Sequence, residues 1–337
     1  MPAVGDATPI GILGAGSWAT ALGLLLARNG HAVRLWSPFP EELKPLIAER
    51  ENRRYLPGFR LPEALRVEPD LETLLGGVHD LLVAVPSHGF RATLTQLAAH
   101  KPKQLRLAWA TKGFEPDSGH LLHQVAAEVF GKTTALAVLS GPTFAREVAA
   151  GLPTAITVAS HDARFAQDLA EALHSRSFRA YTTSDVIGVE VGGAVKNIIA
   201  IGCGISDGLK FGANARAALI TRGLAEITRL GLKLGAHAET FQGLAGLGDL
   251  VLTCTDDQSR NRRLGLGLAA GQDPKAIETQ IGQVVEGVSA AGAAHKLAKR
   301  LGVDMPITEQ MYRILHEHLP PRAAVEALMT RALKAES

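Results

Sequence analysis

Apolar and polar positions follow two different periods along this 337-residue chain, and the change of period divides it in two. In the first part, apolar runs of strand length recur at 10–13, 31–36, 80–85, 105–110, 135–139, 155–159 and 178–181. Helical patterning fills the intervals at 17–27, 41–54, 70–75, 89–99, 121–130 and 164–174, and a loop rich in Pro and Leu follows Tyr55-Leu56-Pro57-Gly58. The run Asp80-Leu81-Leu82-Val83-Ala84-Val85 is continuous instead of alternating, the pattern of a strand covered on both faces. From 186 onward the periodic stretches are helical. In 214–230, Ala217, Ile220, Leu224 and Ile227 share one face, with Arg222 and Glu226 paired i, i+4 on another. Further helices are predicted at 262–270, 273–281, 288–301, 309–317 and 322–334. The predicted fold is α/β: a Rossmann-type doubly wound parallel sheet in 1–185, followed by an all-α C-terminal domain in 186–337. No polar linker separates the two, so the last strand is expected to run directly into a long helix packed on the first domain.

The first strand and helix enclose Gly14-Ala15-Gly16-Ser17-Trp18-Ala19, the dinucleotide spacing with Ala at its third position. Gly14 permits a tight turn after the strand, Gly16 lets backbone N–H groups approach a pyrophosphate, and Ala19 lets the helix pack closely on the sheet. The phosphates would sit at the helix N-terminus, where unpaired N–H groups and the helix dipole favour an anion.

Composition narrows the class without changing it. Hydrophobic residues make up 46% and charged residues 20%, ordinary for a globular protein, and a net charge of +2 argues against a large nucleic-acid footprint. The two cysteines, Cys203 and Cys254, form no C-x-x-C, which fits a reducing, cytoplasmic compartment and offers no disulfide framework. The apolar stretch 18–27 has no basic segment before it and already serves the fingerprint, so it is not read as a signal peptide. No unbroken apolar run reaches the ~18 residues of a membrane span. His120 and His123 stand i, i+3 without a third ligand in view, and no metal is predicted. Gly131-Lys132-Thr133 resembles the end of a P-loop, but Ala126 stands where its first glycine belongs.

Sheets of this kind bind ligands beyond the carboxyl ends of their strands. Three such ends carry Pro86-Ser87-His88, Thr111-Lys112-Gly113 and Ser140-Gly141-Pro142-Thr143. A second cluster, Gly192-Gly193-Ala194-Val195-Lys196-Asn197-Ile198-Ile199, embeds a lysine among small and apolar residues. Such a lysine costs free energy unless paired, and facing a cleft it can serve as a proton donor to a carbonyl oxygen. A third cluster places Asp249 between a glycine turn and an apolar helix, where an N-cap is the plain alternative. Ser259-Arg260-Asn261 follows, offering a hydroxyl, a guanidinium fork and an amide to a phosphate. A solvated basic run explains that stretch equally well on its own.

Taken together, these clusters closely resemble the bacterial NAD(P)-dependent glycerol-3-phosphate dehydrogenases. The resemblance rests on Gly14–Ala19, Val85-Pro86-Ser87-His88, Ala110-Thr111-Lys112-Gly113, Ser140–Ala145, Gly151-Leu152-Pro153-Thr154-Ala155, Gly192–Asn197, Phe211-Gly212-Ala213-Asn214, Gly246–Asp249, the neighbourhood of Asn261, and Gly282-Gln283-Val284-Val285-Glu286-Gly287. It implies hydride transfer between a nicotinamide and C2 of dihydroxyacetone phosphate or glycerol 3-phosphate, feeding glycerophospholipid synthesis in a cytoplasmic homodimer. Lys196 would be the general acid or base, with Lys112 holding substrate and Asp249 orienting both lysines. Gly141, Thr143 and Asn197 would add substrate contacts, and Ser259, Arg260 and Asn261 would bind the phosphate. Ser17, Trp18, Lys112, Ala145, Arg260, Val284 and Glu286 match cofactor contacts. One region departs from the family pattern: Trp36 is followed by Ser37-Pro38-Phe39-Pro40, with no charge until Glu41. An acid there would favour NAD and an arginine NADP. Because serine can hydrogen-bond a 2′-phosphate, Ser37 suggests dual use with a lean towards NADP. Rival readings are a 6-phosphogluconate or β-hydroxyacid dehydrogenase, against which Lys112 and Ser259-Arg260-Asn261 speak, and a non-catalytic NAD(P)H sensor, which leaves Lys196 without a task.

Overall fold

The computed structural model describes residues 8–100, 102 and 104–331. The end of the last expected helix, 332–334, and the outermost ends of the two expected domains lie outside the described residues. Eight strands form one sheet: β1 (Ile10–Leu13), β2 (Val33–Trp36), β3 (Leu65–Val67), β4 (Asp80–Val83), β5 (Arg106–Trp109), β6 (Ala135–Ser140), β7 (Thr154–Ser160) and β8 (Phe178–Thr183). Their spatial order is β3-β2-β1-β4-β5-β6-β7-β8. Helices α1 (Ser17–Arg28), α2 (Pro40–Glu49), α3 (Leu71–Leu75), α4 (Ser87–Ala99), α5 (Leu122–Phe130), α6 (Ala145–Ala150) and α7 (Ala163–Leu173) alternate with the strands.

Strands β1 to β6 run parallel, so the carboxyl ends of β1, β4, β5 and β6 share one edge. The expected doubly wound parallel sheet is present, with one departure at its far side: β7 pairs antiparallel with β6, while β8 runs parallel to β7. The six-residue α6 is not a crossover helix: Arg28 at the end of α1 donates to the carbonyls of Val148 and Ala149 at 2.5 and 2.8 Å, tying α6 to α1. The chain then returns in the opposite direction. Strand β3 was not visible in the pattern, because only Leu65 of its three residues is buried. Helix α2 ends earlier than its pattern predicts, since Arg50 turns left-handed and spends its guanidinium on the carbonyls of Leu61, Pro62 and Leu65.

Beyond β8 the chain is helical: α8 (Val186–Gly208), α9 (Gly212–Leu234), α10 (Ala238–Gln242), a π-helical turn at Leu244–Gly248, α11 (Asp249–Thr255), α12 (Arg260–Ala269), α13 (Pro274–Ile281), α14 (Glu286–Leu301), α15 (Pro306–His316) and α16 (Pro321–Met329). Helix α8 is the axis of this half. It is long and apolar enough to cross a membrane, yet 94% of its most apolar stretch is buried inside the protein, against α9, α11, α12 and α14. A helix apolar on all sides is a core helix when other helices surround it. Its first turn is capped by Asp185 and packs Val186 and Val189 into the core of the sheet half.

Glycine sets how closely the helices approach α8. A Cβ at Gly265 on α12 would stand 2.1 Å from the carbonyl oxygen of Ile201. That approach holds the N-terminus of α12, with Ser259, Arg260 and Asn261, against the middle of α8. We therefore expect Gly265→Ala to destabilise the fold by about 1–3 kcal/mol through overpacking, measured by urea unfolding. Unchanged stability would show that α12 can back away from α8.

Candidate active site

Lys112 leaves the carboxyl end of β5, Lys196 projects from the middle of α8, and Asp249 opens α11. The structure brings all three together. The Lys112 Nζ donates to Asp249 Oδ2 at 2.6 Å and to the Gly141 carbonyl at 3.1 Å. Lys196 donates to the other carboxylate oxygen, Oδ1, and to the Thr253 hydroxyl at 2.8 Å. Asp249 is 1% exposed and Lys196 6%, so this is a buried carboxylate shared by two ammonium groups. The Asp249 side chain caps no helix; Gly248 holds the cap position. The π-helical turn is what delivers Asp249 to α8. It presses so close that a Cβ at Gly192 would lie 2.5 Å from the Ala245 carbonyl oxygen. Such turns recur at functional sites because they re-aim a side chain. Thr253, one helical turn beyond Asp249, also belongs to the site and was not anticipated from the sequence.

The fingerprint turn stands at the adjoining strand end. The Gly14 amide donates to the Trp36 carbonyl at 2.7 Å, which locks the turn against β2. Among the described residues, the N-terminus of α1 at Gly16 has no side-chain cap and no acid in its first turn. A Cβ at Gly16 would meet nothing within 4 Å. The indole N–H of Trp18 is buried with no partner among the described residues. An uncapped helix end beside open space fits a dinucleotide pyrophosphate. Across the same cleft, Glu286 accepts from the Ser87 amide at 3.1 Å and its hydroxyl at 2.6 Å. Gln283 meets the Ser17 hydroxyl at 3.4 Å, and Arg260 donates to the Val284 carbonyl at 2.9 Å. Ser17, Arg260, Val284 and Glu286 therefore converge where the helical half meets the sheet, with Ser87 and Gln283 as further members. Ala145 begins α6, after Gly141 and Thr143, whose hydroxyl donates to the Gly141 carbonyl at 3.2 Å.

Three expected contacts look different in three dimensions. Ser37 is buried, and its hydroxyl donates to Glu42 at 2.8 Å, so it is not held out to a 2′-phosphate. The lean towards NADP built on that hydroxyl loses its footing. Asn261 spends its amide on the protein, donating to Asn197 Oδ1 at 2.9 Å and accepting from the Gly287 amide at 2.9 Å. It bridges α8, α12 and α14 beneath the turn, instead of offering its whole amide to a phosphate. Asn197 is turned inward by the same pair. Ser259 caps α12 by accepting from the Arg262 amide at 3.2 Å, which leaves its O–H free to donate. Arg260 is half-buried at the cleft. Arg262, by contrast, is bound to Asp207 and Asp257 and takes no part. His120 and His123 also go separate ways, to Glu128 and Glu190 respectively.

Residues 9–166 match the family model described as NAD-dependent glycerol-3-phosphate dehydrogenase N-terminus, and residues 185–326 match its C-terminus counterpart. The chain belongs to this dehydrogenase family. A glycerol-3-phosphate dehydrogenase [NAD(P)+] of Methylococcus capsulatus is 56% identical over 328 residues, covering 97% of this chain and 98% of that protein. One from Shewanella halifaxensis is 54% identical over 329 residues, covering 97% of each. Among solved structures, the Coxiella burnetii glycerol-3-phosphate dehydrogenase superposes with a TM-score of 0.94 at 52% identity. It covers 96% of this chain and 99% of that one.

Within this family frame, the electrostatics of the lysine pair carry the chemistry. Burial drives the Lys196 ammonium down to about 7, and the nearby Lys112 charge adds to that, while Asp249 opposes both. Burial alone would raise the Asp249 carboxyl, but the two lysines outweigh it and hold the group below its ordinary value. A lysine titrating near neutrality is suited to proton transfer. Removing the opposing carboxylate charge should lower Lys196 further. We expect Asp249→Asn to shift its titration to lower pH, followed by NMR of isotope-labelled lysine. An unchanged or higher midpoint would mean that Asp249 does not hold the proton on Lys196.

Proposed function

We propose that this chain reduces dihydroxyacetone phosphate to sn-glycerol 3-phosphate, and runs the reverse oxidation, with Lys196 as the proton donor and acceptor. The observation that carries this reading is the buried Lys112–Asp249–Lys196 array, set between the fingerprint turn and the Ser259–Arg260 turn. The nicotinamide cofactor, NADH or NADPH, supplies the hydride to C2. Lys196 passes its Nζ proton to the C2 oxygen, remains in place as the neutral amine, and regains a proton from water. Lys112 stays charged beside the same oxygen and stabilises the negative charge that develops there. Asp249 fixes both ammonium groups in place, so little reorganisation accompanies the reaction. Arg260 and the free O–H of Ser259 hold the phosphate, and Asn261 and Asn197 act beneath them by fixing the turn. The uncapped end of α1 with Gly16, Ser17 and Trp18 would hold the pyrophosphate, and Glu286 ties the two sides of the cleft through Ser87. The working form we propose is a homodimer in the cytoplasm that supplies glycerophospholipid synthesis. Two buried, unbridged cysteines agree with a reducing compartment.

Lys196→Ala should lower kcat with dihydroxyacetone phosphate by about 100-fold or more while NADH or NADPH still binds. Binding without turnover in the wild-type protein would leave the sensor reading instead. The pH profile has a definite sign. A proton donor is active below its pKa, so kcat/KM for ketone reduction should fall as pH rises through about 7 and rise for alcohol oxidation. A reduction rate that is flat from pH 6 to pH 9 would assign the proton to another group. Arg260→Ala should raise KM for the phosphate substrate by about 10- to 100-fold, the loss of one hydrogen bond to a charged group. An unchanged KM would place the phosphate elsewhere.

A further inference from the structure

The end of β2 holds a carboxylate that the sequence pattern does not place there. In a dinucleotide-binding unit the residue after the second strand meets the adenosine ribose, and an acid at that point selects NAD. Here that residue is Ser37, which follows Trp36, whose carbonyl accepts from Gly14 of the fingerprint turn. The Ser37 hydroxyl donates at 2.8 Å to Glu42 Oε2, and the Tyr55 hydroxyl donates at 2.9 Å to Glu42 Oε1. Tyr55 is itself fixed to the fingerprint turn. Asn52, fully buried, donates at 2.8 Å to both the Ala15 carbonyl and the Thr20 hydroxyl, and accepts from the Tyr55 amide at 3.2 Å. Glu42 is thus held from two sides, one hydrogen bond away from the residue at the strand end, although it lies on the first turn of α2.

The nearby arginines do little to offset this charge. Arg34 gives one guanidinium nitrogen to the carbonyls of Thr73, Leu74 and Gly76, and Arg50 is spent on three carbonyls likewise. Arg53 pairs with Glu49 and Glu51. Arg54 lies over the Tyr55 ring, 5.0 Å from its centroid, on the residue that holds Glu42 and not on the carboxylate itself.

We propose that Glu42, fixed by Ser37 and Tyr55, is the residue that works against a 2′-phosphate and tilts this chain towards the unphosphorylated cofactor. The inference rests on the dehydrogenase reading only in requiring that the chain bind a nicotinamide dinucleotide. Isothermal titration calorimetry of NADPH and NADH, without substrate, tests it on the wild-type protein, Glu42→Gln and Glu42→Asp. Glu42→Gln keeps the shape and removes the charge, so the ratio of Kd for NADH to Kd for NADPH should rise at least fivefold. Glu42→Asp keeps the charge and should hold the ratio within twofold of wild type. A ratio unmoved by Glu42→Gln overturns the proposal, as does an equal rise in both variants, which would point to shape and not charge. A wild-type protein that binds neither dinucleotide overturns the dehydrogenase reading along with it.

Discussion

One buried carboxylate governs the arrangement of this protein. Asp249 is removed from water and can remain ionised only because two ammonium groups reach it, one from the sheet and one from α8. Each lysine is in turn tolerable at its depth because the carboxylate is there. Lys196 and Asp249 both belong to the helical half and Lys112 to the sheet half, so the Lys112–Asp249 contact that joins the two halves also completes the cluster. The same low-dielectric setting that makes the triad costly to build brings Lys196 towards neutrality, where it can gain and lose a proton.

Small residues make that assembly sterically possible. The π-helical turn approaches α8 at Gly192, and α12 approaches it at Gly265, each at a distance that a methyl group would prevent. The close approach of α12 sets Asn261 between Asn197 and the Gly287 amide. A side chain whose position in the sequence points to ligand binding thereby becomes an internal brace, and the arginine before it is left to face the cleft. The two neighbours part because Arg260 and Asn261 face different ways at the start of α12.

Across the cleft, the two halves also meet through polar contacts to the ends of helices. Glu286 accepts from the Ser87 amide at the start of α4, and Gln283 meets the Ser17 hydroxyl at the start of α1. Contacts of this kind are partly exposed and individually weak. They suit a cleft that must admit a cofactor, whereas the Asp249 contacts are buried and hold their geometry.

The sequence by itself determined the fold class and the fingerprint turn, and it singled out the two lysines and the aspartate that the structure brings together. The fold class and the turn follow from local pattern, namely strand and helix periods and glycine spacing. The roles expected of Lys112 and Asp249 came with the family resemblance, and only Lys196 was marked by its apolar surroundings. The sequence did not determine the direction of β7, because that depends on α6 being tied back to α1 by Arg28 and not on any period within β7. Strand β3 was illegible for want of length, and Thr253 for want of any feature beyond its spacing from Asp249. The inward turn of Asn261 and the meeting of Ser37 with Glu42 were also beyond reach. Side-chain direction at a helix start, and the placing of a carboxylate six positions beyond a strand end, are set by packing between elements, to which a one-dimensional pattern is blind. Residue type told which chemistry was available, and tertiary packing decided which of those residues could perform it.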